Sequence, residues 1–599
     1  MCGFTGSISV NPIDNSLIEA ANKIIDCRGP DSKCSISRNY DSYNLNFCFN
    51  RLSILDLSEE ANQPMYSKEF KTMLMFNGEI YNHAELRKDL ENKGLKFFTS
   101  HSDTETLLVG LSHYGIDFVN KLRGQFAIAF LDERKSKLHL VRDRLGQKPL
   151  YYFLDNKNIH FGSSLMSLLK IIKDYKIDEN QLYSYLDYGI ISSPFTLFKN
   201  IFKIMPSEIL TIDLENSIFS KSESKYWQIE NFIDDKPFNI DDFYNIFSES
   251  IDLRINADVP VANFLSGGID STSIIKNLVD NKKKVNSFSI YIQEKKYDES
   301  NYIKEVVSKY DLDHKSTTIT SDISLEEITQ ALDSLDEPYS DPSVIPSYIL
   351  SREISENYKV AISGDGGDEL LGGYERTAIS LQKGSFFNNL ISKFYYLYPA
   401  ILGTGNILLS KSSNLETKYR SFLEDKKLIK LLKVSSLDNT FADGLDYKDL
   451  DHYKRLLIAD YKYFLPEMMM FKIDRTSMAN SLEVRSPFVD HKLIEFIMSS
   501  KSSYLNPDNP KEILKKYLSN DFSDDFVSRK KQGFVFDVES WVFNNIEYIA
   551  DKISNGYVVN KLNNKIINLL SIKKSRINGQ RIWKLFVLEY YLARVFSKS

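Results

Sequence analysis

Cysteine is scarce in this 599-residue chain: four occur, at positions 2, 27, 34 and 48. No two are separated by the two to four residues of a structural zinc site, and four thiols in so long a chain cannot build a disulfide framework. Charge of one sign is also lacking. Seventy-five basic and 81 acidic residues leave a formal net charge of −6, too small and too interspersed for a nucleic-acid-binding surface. Long apolar runs are missing as well. The nearest approach, residues 394–409, is interrupted by Pro399, Gly403 and Gly405 and falls short of the roughly 20 apolar residues a membrane span needs. No basic segment followed by an apolar one stands at the N-terminus, so no secretory leader is expected and the protein is expected to be cytoplasmic, where thiols stay reduced. A G-x-x-x-x-G-K-S/T phosphate loop is absent too, which excludes the Walker type of nucleotide site.

What is present is ample core material, with 42% hydrophobic and 13% aromatic residues, in a chain long enough for two or three domains. Small molecules are the expected partners. The most informative residue is Cys2. Removal of Met1 would make its thiol the side chain of the first residue, beside a free α-amine. A terminal amine titrates at about 7.7 to 8.0 and a thiol at about 8.5, so near neutrality the amine can take the thiol proton, directly or through one water.

Downstream lie Arg51-Leu52-Ser53-Ile54, Asn77-Gly78-Glu79-Ile80-Tyr81-Asn82 and Ser102-Asp103-Thr104-Glu105-Thr106. An arginine can grip an α-carboxylate with two hydrogen bonds, an aspartate can accept from an α-ammonium, and an Asn amide with a Gly N–H can stabilise an oxyanion. Singly, such residues are more often a hairpin turn or solvated charges.

Together, in this order, they resemble the glutaminase domain of class II glutamine amidotransferases, the N-terminal-nucleophile family found in asparagine synthetases and their relatives. Arg28-Gly29-Pro30-Asp31, Asn62-Gln63-Pro64, Leu122-Arg123-Gly124-Gln125 and the run Arg142 to Tyr151 extend the resemblance. It implies that Cys2 attacks the glutamine side-chain amide and forms a thioester, releasing ammonia. Arg51 and Asp103 would hold the amino-acid end, Asn77 and Gly78 would form the oxyanion hole, and Glu79 would lie against the bound glutamine. Three positions depart from the family pattern: Cys27 replaces a usual His, Asn50 a basic residue or histidine, and Ser164 the Glu of a Ser-Glu pair.

In the second half, Val259 to Leu265 reads as a buried strand running into Ser266-Gly267-Gly268-Ile269-Asp270-Ser271, with helical character from Thr272 to Asp280. Glycines let backbone N–H groups approach an anion, the two serines add hydroxyl donors, and Asp270 makes sense if it holds a cation that bridges phosphates. A second strand, Lys359 to Ile362, leads into Ser363-Gly364-Asp365-Gly366-Gly367-Asp368-Glu369. Three carboxylates within five residues repel one another unless a cation or a basic partner offsets them. Calcium is the alternative to magnesium there, although the alternating ligands of an EF-hand loop are absent.

The hexapeptide between strand and helix is similar to the pyrophosphate loop of ATP pyrophosphatases, and the acidic run matches the segment that closes over the adenylate in asparagine synthetases. Asp336-Glu337-Pro338, Lys472 to Met478, Leu482 to Asp490, Lys511 to Lys515 and Arg529 to Phe534 carry the resemblance almost to the C-terminus. By that resemblance Leu265, Ser266, Gly267, Gly268, Asp270, Ser271, Ile290, Ser363 and Gly364 would bind ATP, Asp270 and Asp368 would share Mg²⁺, Asp365 would sit beside the reacting acyl group, and Lys511 would neutralise phosphate charge.

The fold implied is α/β: an N-terminal-nucleophile αββα sandwich over residues 1–210, a connector over 211–235, and a parallel-sheet ATP pyrophosphatase domain (adenine nucleotide α-hydrolase-like) over 236–599, with a helical insertion near 380–450. A helix is expected over 241–254 and an amphipathic one over 582–596. The implied reaction converts L-aspartate, glutamine and ATP into L-asparagine, glutamate, AMP and diphosphate, with ammonia passing between the domains. The alternatives are another carboxylate acceptor, such as a sugar uronic acid of surface-polysaccharide pathways, and a non-catalytic glutamine- or nucleotide-binding regulator. Homodimers are common in the family.

Overall fold

A computed structural model describes residues 2–215, 218–293, 298–320, 322–383, 386–434, 445–529, 536–558 and 574–596. Met1, residues 530–534 of the Arg529 motif and residues 435–444 of the expected insertion lie outside them.

The N-terminal half is built from β1 (Gly3–Ser9), β2 (Ser32–Asn39), β3 (Asn44–Arg51), β4 (Met65–Ser67), β5 (Thr72–Ile80), β6 (Gly124–Asp132), β7 (Lys137–Arg142), β8 (Tyr151–Leu154), β9 (Asn158–Gly162), β10 (Ile201–Lys203), β11 (Glu208–Asp213) and β12 (Ser220–Lys225). They form two antiparallel six-stranded sheets, ordered β10-β8-β9-β1-β3-β2 and β12-β11-β7-β6-β5-β4. Strand periodicity decides the packing. In β5, Met73 and Met75 join Phe4, Phe47 and Phe49 in the layer between the sheets. Leu74 and Phe76 point the other way, onto Leu86, Leu107 and Leu111 of the helices His83–Glu91 and Asp103–Tyr114. A strand buried on both faces needs apolar residues at every position, which is why β5 reads as a continuous run and not an alternating one. Helices Asn15–Ile24 and Leu165–Ile171 cover the opposite outer face through Ile18, Ala21 and Ile171. The result is the expected αββα sandwich.

The expected connector needs correcting. Glu208–Asp213 and Ser220–Lys225 pair antiparallel as the arms of a hairpin, with Glu208 opposite Lys225 and Asp213 opposite Ser220. β11 also pairs with β7, so the hairpin completes the second sheet. The polarity of Ser220–Lys225, exposed along its whole length, is that of a sheet edge facing solvent, and in sequence it is indistinguishable from a loop.

The C-terminal half holds β13 (Val261–Phe264), β14 (Asn286–Ile292), β15 (Asp313–Ile319), β16 (Val360–Ile362) and β17 (Glu483–Arg485). They form a parallel sheet in the order β15-β14-β13-β16-β17. The strand order reverses at β13, so β13 and β16 diverge to crossovers on either side, which leaves a crevice at their carboxyl ends. Helix Ile240–Arg254 precedes the sheet and Ile269–Asp280 follows β13. Within the expected insertion the described residues form short helices, among them Phe386–Lys393 and Lys426–Leu432. The C-terminal helix runs over Arg576–Phe596 and is mostly buried, Arg581 included; it is a core helix and not a one-sided amphipathic one, since Leu585, Phe586, Val587, Leu588 and Glu589 are buried in succession.

Candidate active sites

Cys2 immediately precedes β1 and is buried, which pushes its thiol up. Its backbone N–H donates to Asn77 Oδ1 at 3.1 Å. With Met1 in place that nitrogen is an amide; cleavage would turn it into the α-amine beside the same oxygen. Asn77 is wholly buried in β5, and its Nδ2 has no acceptor among the described residues. A buried donor without a partner is costly and rare, and here it lies on the side chain that holds the Cys2 backbone. Gly78 has φ +154°, and a Cβ there would meet the Gln125 carbonyl oxygen at 2.0 Å, so only glycine lets β5 approach β6 this closely.

Asp103 opens its helix and accepts the Ile80 N–H at 3.1 Å. Burial pushes its carboxyl up to about 6. Arg51 ends β3, buried; its Nη1 donates to the Ser58 carbonyl at 2.7 Å and to Asn62 Oδ1 at 2.9 Å, and its Nη2 to the Asp56 carbonyl. The fork expected to grip a carboxylate therefore also holds the 55–58 turn. Glu79 points to Arg485 of β17, with 3.1 Å between Oε2 and Nη2, and burial raises its carboxyl well above the usual range against the pull of that arginine.

The second site lies at the crevice of the parallel sheet. Gly267, at φ +71°, turns the chain after β13, and its carbonyl accepts from Arg529 Nη2. Ser266 and Ser271 hydroxyls are 3.1 Å apart, and the Gly268 N–H donates to Ser266 Oγ at 3.2 Å. The helix starts at Ile269, so Asp270 and Ser271 lie in its first turn and not in the loop that precedes a helix from Thr272. Likewise Asp368 and Glu369 belong to a short helical turn, Gly367–Leu371. The two segments are pressed together: a Cβ on Gly367 would stand 2.6 Å from Asp270 Cγ, and one on Gly364 3.0 Å from the Ser271 nitrogen.

Lys511 Nζ is 2.5 Å from both Asp270 Oδ2 and Asp368 Oδ1. Burial works against its charge, yet the two carboxylates hold the ammonium well above the ordinary lysine range. A cavity of about 620 Å³ opens here. It is lined by Leu265, Ser266, Gly268, Asp270, Ser271, Ile290, Ser363, Gly364, Asp365, Asp368 and Lys511 among others. Among the expected ATP residues Gly267 alone is not in its wall. No group of three or more His, Cys, Asp and Glu among the described residues is placed to hold a metal ion. Asp270 and Asp368 converge as ligands of a divalent cation would, with the Lys511 ammonium between them in this structure. Asp365 is half-buried at the cavity edge.

Between the sites the halves meet through buried charge. Arg28 donates to both oxygens of Asp474 at 2.9 and 3.1 Å and to the Cys2 carbonyl at 3.2 Å; Lys148 adds to Asp474 at 3.6 Å. Arg123 reaches Asp490 at 2.9 Å, and Lys203 reaches Glu337 at 2.8 Å. Leu52 and Ile54, directly after Arg51, pack with Val360 and Met478 of the other half in an apolar strip. Arg28, Asp474, Glu483 and Arg485 stand within strings that carry the family resemblance, yet none has a role that the sequence alone assigns. Their signal was charge inside strand- and helix-like runs.

An αββα sandwich with Cys2 at the head of β1, joined to a parallel-sheet domain with a glycine loop at its crevice, defines the class: an amidotransferase of the N-terminal-nucleophile fold fused to an α/β domain. The comparisons agree. The glutamine amidotransferase domain family matches residues 1–227 and the asparagine synthase family matches residues 242–592. The first of these ends beyond β12, in keeping with the hairpin's place in the sandwich. Glutamine-hydrolyzing asparagine synthetase 1 of Bacillus subtilis is 31% identical over 572 residues, covering 91% of this chain and 88% of that one. A putative asparagine synthetase 2 of Methanocaldococcus jannaschii is 34% identical over 396 residues, covering 62% and 76%. The chain belongs to the asparagine synthase family. No helix among the described residues is long and apolar enough to cross a membrane.

Proposed function

We propose that the protein amidates L-aspartate to L-asparagine with glutamine as nitrogen donor and ATP as the activating substrate. The Cys2 thiolate attacks the glutamine side-chain amide, the α-amine taking the thiol proton, and Asn77 Nδ2 with the Gly78 N–H stabilises the oxyanion. Collapse gives a thioester and ammonia, and water then releases glutamate. In the other half the aspartate side-chain carboxylate attacks the α-phosphorus of ATP and diphosphate leaves. Ammonia displaces AMP from the acyl-adenylate. Ser266, Gly268 and Ser271 would cradle the diphosphate, Asp270 and Asp368 would hold Mg²⁺, which supplies charge neutralisation on the phosphates, and Lys511 would follow the negative charge as it develops.

The single observation that carries the glutamine half of this reading is Asn77, buried with an amide N–H₂ that has no acceptor among the described residues, on the side chain that holds the nitrogen of Cys2. The test uses purified protein with MgATP, aspartate and either glutamine or ammonium, and identifies products by mass spectrometry. Wild type makes asparagine from both donors; Cys2→Ala makes it from ammonium alone. Amidation of a sugar acid with none of aspartate would replace the acceptor. Glutamine-driven synthesis by Cys2→Ala would overturn the nucleophile.

A further inference from the structure

Arg485 is a fully buried arginine whose guanidinium contacts four parts of the molecule. Nε donates to Glu483 at 2.6 Å, and Nη1 to the carbonyls of Arg254 at 3.0 Å and Asn256 at 2.7 Å. Nη2 faces Glu79 at 3.1 Å. Glu79 follows the oxyanion pair Asn77-Gly78 in β5. Arg254 ends the helix that leads through Asn256 into β13, and β13 runs into the Ser266 loop. The main chain of Arg485 does something separate. In the parallel ladder it stands opposite Ile362 of β16, and its carbonyl accepts the Ser363 N–H at 3.0 Å. The next residue repeats the contact, Ser486 Oγ lying 2.9 Å from Ser363 Oγ. Ser363 and Gly364 begin the turn that closes the nucleotide cavity.

We propose that Arg485 is a positioning residue shared by the two sites: its side chain sets Glu79 at the glutamine end while its carbonyl sets Ser363 at the nucleotide end. Occupancy of either site is thereby felt at the other. The inference rests on the proposed function for what the two sites bind.

The physical basis is a competition for one guanidinium. Two carboxylates, Glu79 from one half and Glu483 from the other, share it, and they differ. Burial works against charge on both, but positive groups around Glu483, Arg485 and Lys148 among them, favour its charged form, whereas Glu79 is raised. A glutamine α-ammonium arriving beside Glu79 favours its charged form and so draws on Arg485. A planar, five-donor guanidinium can keep Glu483, two carbonyls and Glu79 at once. A lysine ammonium has three donors on one point and cannot. A shift of Arg485 toward Glu79 must pass into β17, because residue 485 is also a rung of the β16–β17 ladder. Whatever factor glutamine exerts on nucleotide and acceptor binding, those ligands exert on glutamine.

The experiment measures glutamine hydrolysis in full-length wild type and Arg485→Lys, with and without MgATP and aspartate, together with glutamate formed per AMP and ammonium-dependent synthesis. In wild type the glutamine KM should change by roughly fivefold or more when the nucleotide site is filled, the lower end of usual coupling factors. In Arg485→Lys that factor should collapse toward one and the glutamate-to-AMP ratio should rise, while ammonium-dependent synthesis persists. An unchanged factor and ratio in the variant, or a proportional fall of every rate with no change in ratio, would overturn the proposal. Should Arg485→Lys not fold, Ser486→Ala serves: it leaves the charges in place and cuts one link to Ser363, so the factor should fall there too, and an intact factor sinks the idea. Failure of the underlying reading looks different, since wild type itself would then form no asparagine from glutamine.

Discussion

At the scale of single residues, the catalytic promise of Cys2 depends on a neighbour 75 positions away. Asn77 holds the backbone nitrogen of Cys2 and has an amide N–H₂ with no acceptor among the described residues, so one side chain is placed to serve both the nucleophile and the oxyanion of the proposed reaction. Asp103 gives the clearest pH test. Its carboxyl is raised to about 6 by burial, so the carboxylate that an α-ammonium requires predominates only above that pH. The expected result is that kcat/KM for glutamine, which already falls as the α-amine is protonated, gains a further acid limb of about tenfold per pH unit below about 6, since this parameter reports the free enzyme's groups. Asp103→Asn should remove that acid limb and raise the KM. A limb of the same position in Asp103→Asn would assign it to another group. Asp103, Asn77 and Gly78 were all legible in the sequence because each is a chemical type in a recognisable string. That the Arg51 fork also holds the 55–58 turn was not, since the chain folds back on itself there through carbonyls, which any residue supplies.

At the scale of elements, the strand–glycine loop–helix at β13 and the acidic turn after β16 were found within a few residues of their observed places. Short apolar runs flanked by glycine fix backbone direction locally, and both loops fall at strand carboxyl ends as parallel sheets require. The helix starts were misplaced by up to three residues because Ile269, Asp270 and Ser271 satisfy loop chemistry and helix chemistry alike. The contact between the two elements is where a prediction belongs. Gly367→Ala brings a Cβ to within 2.6 Å of Asp270 Cγ and must displace the Asp270 carboxylate from its place beside Lys511. ATP-dependent synthesis, from ammonium as well as from glutamine, should fall at least about tenfold, equivalent to about 1.4 kcal/mol in transition-state stabilisation. Glutamine hydrolysis should persist, measured as glutamate released without ATP. The hairpin of β11 and β12 is the element that sequence reading lost, because a solvent-facing edge strand such as Ser220–Lys225 carries no apolar alternation.

At the scale of the whole molecule, the two halves are joined by ion pairs that lie far apart in sequence and close to both sites. Asp474, buried between Arg28, Lys148 and Arg475, shows what they contribute. Burial opposes its charge, but those three cations hold its carboxyl down to about 2. A depressed carboxylate contributes stability that is fully present above its unfolded value near 3.9 and is lost as pH falls through about 2. Asp474→Asn should therefore lower stability by about 2–3 kcal/mol at neutral pH, the drop from near 3.9 to about 2 taken at about 1.4 kcal/mol per unit. Denaturant titrations of variant and wild type should converge as the pH is lowered toward 2. Parallel curves across that range would remove Asp474 from the account.

The sequence by itself determined the chemistry and its local settings: a thiol at position 2, an Asn-Gly pair, two glycine-rich turns after apolar strands, and a lysine at 511. Spacing along a few residues sets backbone conformation, and backbone conformation sets where such groups point. Only the tertiary structure decided how the halves address each other. Glu483 and Arg485 stand two apart on β17, so they share a face, while Val484 between them turns into the core. Which face meets Glu79 depends on how the parallel sheet lies against the sandwich, and no short-range rule specifies that. Pairs such as Arg28 with Asp474, 446 residues apart, follow from that same docking, because Coulomb attraction in a buried interface acts on distance in space and ignores distance along the chain.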